Sequence, residues 1–156
     1  MPIVVIETEI SAPIEVCFDL ARDIDAHCRT AGSTQERAIA GVTDGLIGMG
    51  QSVTFEGVHF GVRQRLTSRI VEFEKPRHFV DEMTQGAFKK LRHVHEFFPT
   101  ATGTLMRDTL DWTAPFGLLG VIADKLFLDK YMRNFIQERN TNLKKIAEET
   151  YAKGVG

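Results

Sequence analysis

Residues 2–10 alternate, with Val4, Ile6, Thr8 and Ile10 on one side and Ile3, Val5, Glu7 and Glu9 on the other, which predicts a β-strand with one more polar face. Ser11-Ala12-Pro13 ends it, because proline suits a first helical turn better than a strand interior. Ile14, Cys17, Phe18 and Ala21 then recur at helical spacing, predicting an amphipathic helix. A second short helical piece over about residues 23–30 continues it after a bend.

Residues 41–50 hold four glycines and an Asp44-Gly45 pair, so they form a turn between a short strand at 36–40 and the next at 51–58. They have neither the Gly-Lys-Ser/Thr ending nor the following helix of a phosphate loop. Extended segments follow at about 61–74, 79–85, 88–98 and 103–114. Lys75-Pro76-Arg77, Gly86-Ala87 and residues 99–103 join them as short connections of hairpin type. A consecutive antiparallel meander is the economical topology.

The pattern then changes period. Residues 118–151 contain no proline, and no glycine separates Gly120 from Gly154, so one long helix is predicted. Leu128, Met132, Phe135, Arg139, Asn142 and Ile146 fall on one stripe of it, facing the sheet. The elements together make an α+β fold: about six or seven antiparallel strands, two short helices after the first strand, and one long C-terminal helix.

Composition adds limits to this picture. At 156 residues, 43% apolar and 26% charged, the chain is sized for one domain, residues 1–156, that folds on its own core. The net charge is −2 and the basic residues are dispersed, so no run could neutralise successive phosphates, and nucleic acid is not expected as a partner. Glu7 and Glu9 interrupt the first apolar stretch, unlike a secretory signal, and the longest apolar run, 116–123, is too short to span a membrane. A cytoplasmic location follows by elimination. Cys17 and Cys28 are read as free thiols, since two cysteines in a domain of this size do not resemble a disulfide scaffold.

Strand parity sorts the candidate chemistry. Leu91, His93, His95 and Phe97 share one face of their strand; Thr104, Met106, Asp108, Leu110 and Trp112 share one face of the next, while the opposite faces hold more charge. The parity of Phe79 and Met83 adds Asp81 and Gln85, so a polar patch of His93, His95, Asp81, Asp108 and Gln85 is expected on the concave side. His93 and His95 have a spacing that could hold zinc with a third carboxylate. Sequence supplies only two of the ligands, and structural hydrogen bonding or ligand and proton handling is preferred. No metal or other cofactor is called for. Arg139 could meet a ligand carboxylate or phosphate, but a salt bridge to Asp81, Asp108 or a surface acid is the preferred reading. Phe55, Phe73, Phe97, Trp112, Tyr131 and Phe135 are read as core, with some of them lining a cavity.

Several segments also resemble a known family. Ile10-Ser11-Ala12-Pro13-Ile14-Glu15-Val16-Cys17-Phe18-Asp19-Leu20, Phe79-Val80-Asp81 after Pro76, His93-Val94-His95 within the strand from Phe88, Gly103-Thr104 before Asp108, and Pro115-Phe116-Gly117-Leu118-Leu119-Gly120 are similar in order and spacing to the SRPBCC (START-like, helix-grip) superfamily. The likeness is to its bacterial polyketide cyclase/dehydrase and lipid-transport members, some labelled cell division inhibitors. It implies a curved sheet gripping the last helix, with a hydrophobic ligand cavity between them. The resulting expectation is a binding protein for a small hydrophobic or amphipathic molecule, contacted by Gln85, His93, His95, Asp108, Trp112, Tyr131, Phe135 and Arg139. The alternative is a non-covalent acid–base enzyme of cyclase or dehydratase type using His93 or His95 with Asp81 and Asp108. Nothing in the pattern specifies an oligomeric state.

Overall fold

The computed structural model describes residues 3–59, 61–114 and 127–154. The elements are β1 (Ile3–Ile10), α1 (Ile14–Ala21), α2 (Ile24–Thr30), β2 (Arg37–Gly41), β3 (Ser52–His59), β4 (Val62–Glu74), β5 (His78–Gln85), β6 (Lys90–Pro99), β7 (Thr104–Thr113) and α3 (Asp129–Gly154). Pro2 and the predicted helical residues 118–126, with the apolar run at 116–123, lie outside the described residues.

The strands form one antiparallel seven-stranded sheet in the order β1-β7-β6-β5-β4-β3-β2. From β2 to β7 it is the expected meander; β1 joins at the far edge, with Ile6 opposite Asp108. With α3 packed against β1, α1 and α2, this is the helix-grip architecture. Local chemistry fits each element. Asp23 caps α2 by accepting from the backbone N–H groups of Asp25 and Ala26. Gly41 closes β2 at φ 73°, where a Cβ would come within 2.2 Å of the Ser52 carbonyl oxygen.

Buried apolar residues fall into two clusters. The larger unites α1, the sheet and the far part of α3 through Phe18, Phe79, Phe97, Met106, Leu143 and Ala147. The smaller unites β1, β7 and the near part of α3 through Val4, Ile6, Leu110, Trp112, Met132 and Ile136. Both cysteines are free, Cys17 buried and Cys28 half-buried. Among the described residues no helix is long and apolar enough to cross a membrane.

The buried face of α3 differs from the predicted stripe. Its deepest positions are Met132, Ile136, Arg139, Asn140, Leu143 and Ala147, so beyond Arg139 the stripe runs one residue later than Asn142 and Ile146. The helix meets α1 and α2 as well as the sheet, which widens the covered face and leaves Asn142 at its margin, donating to the Thr30 carbonyl.

Candidate functional site

A cavity of about 480 Å³ separates the two clusters, walled by the sheet, by α3 and by the α1–α2 corner. Its wall is mostly apolar: Ile24, Val53, Ile70 and Phe79 come from the larger cluster, Leu110, Met132 and Ile136 from the smaller. Half-buried Phe88, Leu91, Leu128, Tyr131 and Phe135 complete it. Besides Arg22, Asp23, Gln64 and Arg65, its lining includes two clusters of paired polar side chains and Arg139, which forms no ion pair among the described residues.

The first group is the expected histidine and aspartate set. On adjacent strands Asp81 stands opposite His93, and His95 opposite Asp108, yet the short bonds run diagonally. His95 Nε2 lies 2.7 Å from Asp81 Oδ2, and His93 Nε2 lies 2.7 Å from Asp108 Oδ1. His95 Nδ1 also lies 3.3 Å from Asp108 Oδ1. The two imidazoles stack at 3.7 Å, and Phe79 covers the His95 ring at 4.2 Å. Ser68 donates to the second oxygen of Asp81, and Asn140 to the second oxygen of Asp108.

This geometry assigns the protons. His95 Nε2 is bonded to Asp81 and its Nδ1 lies within ion-pair reach of Asp108, an arrangement that favours the imidazolium form. Burial pushes the His95 pKa down, but its bonds to Asp108 and Asp81 outweigh that and raise it. His93 moves the other way: burial first, then the neighbouring His95 charge, hold it below the ordinary value despite Asp108. Burial pushes both aspartates up; the histidines more than reverse that and keep them ionised. Asp81, His93 and His95 could each offer a ligand atom, all within 4.8 Å of one another. As they stand, His95 and Asp81 are bonded to each other and His93 to Asp108, so the four side chains form an ion-pair network.

The second polar group was not visible in the sequence. Glu36 accepts from His27 Nε2 at 3.0 Å, and His59 Nε2 lies 3.6 Å from its other oxygen. His59 Nδ1 bonds the Tyr131 hydroxyl, and His27 stacks on Phe55. Burial pushes Glu36 up, but its bonds from His27 and His59 bring it far below the usual carboxylate range. These residues come from α2, the residue just before β2, the end of β3 and α3, so no local spacing links them. The one signal is Gly57 inside β3: a Cβ there would come 2.7 Å from the Glu36 Cγ, so the glycine makes room for the carboxylate.

Of the residues expected at the site, Asp81, His93, His95, Tyr131, Phe135 and Arg139 line the cavity. Asp108 sits behind the imidazoles, 2% exposed, and reaches the cavity only through them. Trp112 is packed in the smaller cluster and does not line the cavity, because strand parity gives the face but not the depth along it. Gln85 is exposed outside the cavity. The pairing of β4 with β5 shifts between Thr67 and Ser68, and β5 runs past its last rung with β6 at Glu82, so its end leaves the concave face. The expected salt bridge of Arg139 to Asp81 or Asp108 does not form, since the histidines, Ser68 and Asn140 already occupy those carboxylates.

Comparison with known proteins places this geometry. A family model described as polyketide cyclase / dehydrase and lipid transport matches residues 1–148. No curated protein matches the chain. Among solved structures, the chain is similar to protein TTHA0849 from Thermus thermophilus, with TM-score 0.77 and 20% identity over 92% of this chain and 95% of that one. It is also similar to protein CV1439 from Chromobacterium violaceum, with TM-score 0.73 and 11% identity over 94% and 96% of the two chains. Ginseng major latex-like protein 151 from Panax ginseng matches with TM-score 0.70 and 11% identity over 94% and 97%. At these identities the likeness concerns the fold.

Proposed function

The chain belongs to the polyketide cyclase/dehydrase and lipid transport family, and from that premise we propose that it binds a small hydrophobic or amphipathic molecule between its sheet and α3. The observation that supports this most is the gap of about 480 Å³ left between two well-packed clusters, within the size range of pockets that enclose small ligands. Close packing is the rule inside proteins, and an apolar gap of this size leaves its walls without contacts that a ligand would supply. A cytoplasmic location goes with this reading.

The test uses lipid-free protein and the neutral fluorescent probe N-phenyl-1-naphthylamine. Saturable binding of one probe per chain is expected, and Leu66→Trp, which fills the cavity from a half-buried wall position, is expected to weaken it at least about tenfold. Absence of saturable binding by the unmodified protein would overturn the proposal.

One observation favours a second reading, an acid–base enzyme. His93 lines the cavity, is held by Asp108 at one nitrogen, and has no partner at Nδ1 among the described residues. That is the arrangement of an oriented neutral base. His95, engaged at both nitrogens, would only position it. Nitrogen NMR of the histidine rings checks this: His93 is expected to titrate below the ordinary histidine value and His95 above it, so that His93 is the neutral ring near pH 7. A protonated His93 at pH 7 would remove it as a base.

A further inference from the structure

Resting on the binding role above, we infer that the ligand is a carboxylic acid whose single negative charge seats on Arg139 at the inner end of the cavity. Arg139 is the last residue of α3 to line the cavity; beyond it Leu143 and Ala147 belong to solid core. Its side chain is buried at 5% exposure, its Nε has no hydrogen-bond partner, and it forms no ion pair among the described residues. A guanidinium does not lose its proton, so this is a permanent buried charge awaiting an acceptor.

The nearby acids are already committed. Asp108 serves His93, His95 and Asn140; Asp81 serves His95 and Ser68; Glu36 serves His27 and His59. The turn of α3 makes Asn140, the next residue, the one that reaches Asp108, leaving Arg139 directed into the cavity. Its neighbours on the helix, Met132, Phe135 and Ile136, offer an apolar bed. A guanidinium fork matches the two oxygens of a carboxylate, and the apolar wall suits a hydrocarbon tail. One unpaired cation balances one charge, and a doubly charged phosphate monoester would bring an excess charge into a cavity already lined by Asp81 and Glu36.

The test compares decanoate, decanol and decyl phosphate by calorimetry on the lipid-free full chain. Decanoate is expected to bind at least about tenfold more tightly than decanol, with decyl phosphate weaker than decanoate. Arg139→Met, which keeps the apolar stem, should abolish the preference for acid over alcohol, and its urea unfolding transition shows whether the variant is folded. Equal affinity of acid and alcohol in the unmodified protein, or an acid preference that survives Arg139→Met, would overturn the inference while leaving the binding role standing. Tighter binding of decyl phosphate would overturn the carboxylate. Failure of all three to bind a protein that still binds N-phenyl-1-naphthylamine would overturn the head-group assignment and leave the binding role standing.

Discussion

Replacing Asp108 with alanine is expected to destabilise the fold by about 3–5 kcal/mol, the cost of leaving buried charge without its partner. Asp108 is 2% exposed and is the carboxylate on which His93, His95 and Asn140 converge. Without it the His95 imidazolium keeps only Asp81, and the amide of Asn140 loses its acceptor. Urea denaturation measures the loss, with Glu7→Ala on the outer face of β1 as the control; its half-exposed pair with Arg107 is worth under about 1 kcal/mol. A loss for Asp108→Ala no larger than the control's would refute the description of this network as buried ion pairing.

The same network gives stability a pH dependence of definite sign. The depressed aspartates contribute above their ordinary value of 3.8, and that contribution is lost as pH falls through their folded values. His93, also depressed, acts in the same sense from 6.5 downward. His95, raised, contributes fully below 6.5 and loses its share only as pH climbs through its folded value. Asp108→Ala should therefore flatten the acid side of the stability profile.

Phe18→Ala is the second large loss, expected at about 3–5 kcal/mol from lost transfer energy and the void left behind. Phe18 is fully buried and meets Phe73, Phe79 and Phe97 edge-on, at centroid distances of 5.4, 5.4 and 5.3 Å. It is the peg by which α1 docks on the sheet, and it backs the Phe79 ring that covers His95. Because of that shared ring, the effects of Phe18→Ala and Asp108→Ala should not add in the double variant. Phe98→Ala on the outer face is the comparison, and equal losses for the two phenylalanines would refute the role given to Phe18.

Period-two alternation was enough to read β6 and β7, because one face of each is packed and the other wet. It put His93, His95 and Asp108 on the inner side correctly. It was less informative for β5, where Phe79 and Val80 are both buried and a register shift turns the end away, and so Gln85 was misplaced. The α3 stripe was legible as a stripe but not to the residue, since the contacts with α1 and α2 that set its rotation are tertiary. Arg139 could be seen to point inward. That its neighbours were already paired depended on four strands and a helix meeting, which no spacing encodes. The Glu36 group was invisible for the same reason.

The place of β1 at the far edge has a consequence for how the chain acquires its form. Glu7 bonds Arg107 across a separation of 100 residues, so β1 must wait for β7, the last strand in chain order. Until β7 emerges, Val4, Ile6 and Ile10 have no sheet to cover them, and closing so long a loop is slow. The growing chain therefore carries an uncovered, β-prone apolar strand until β7 is made, the stage at which a chaperone would be needed.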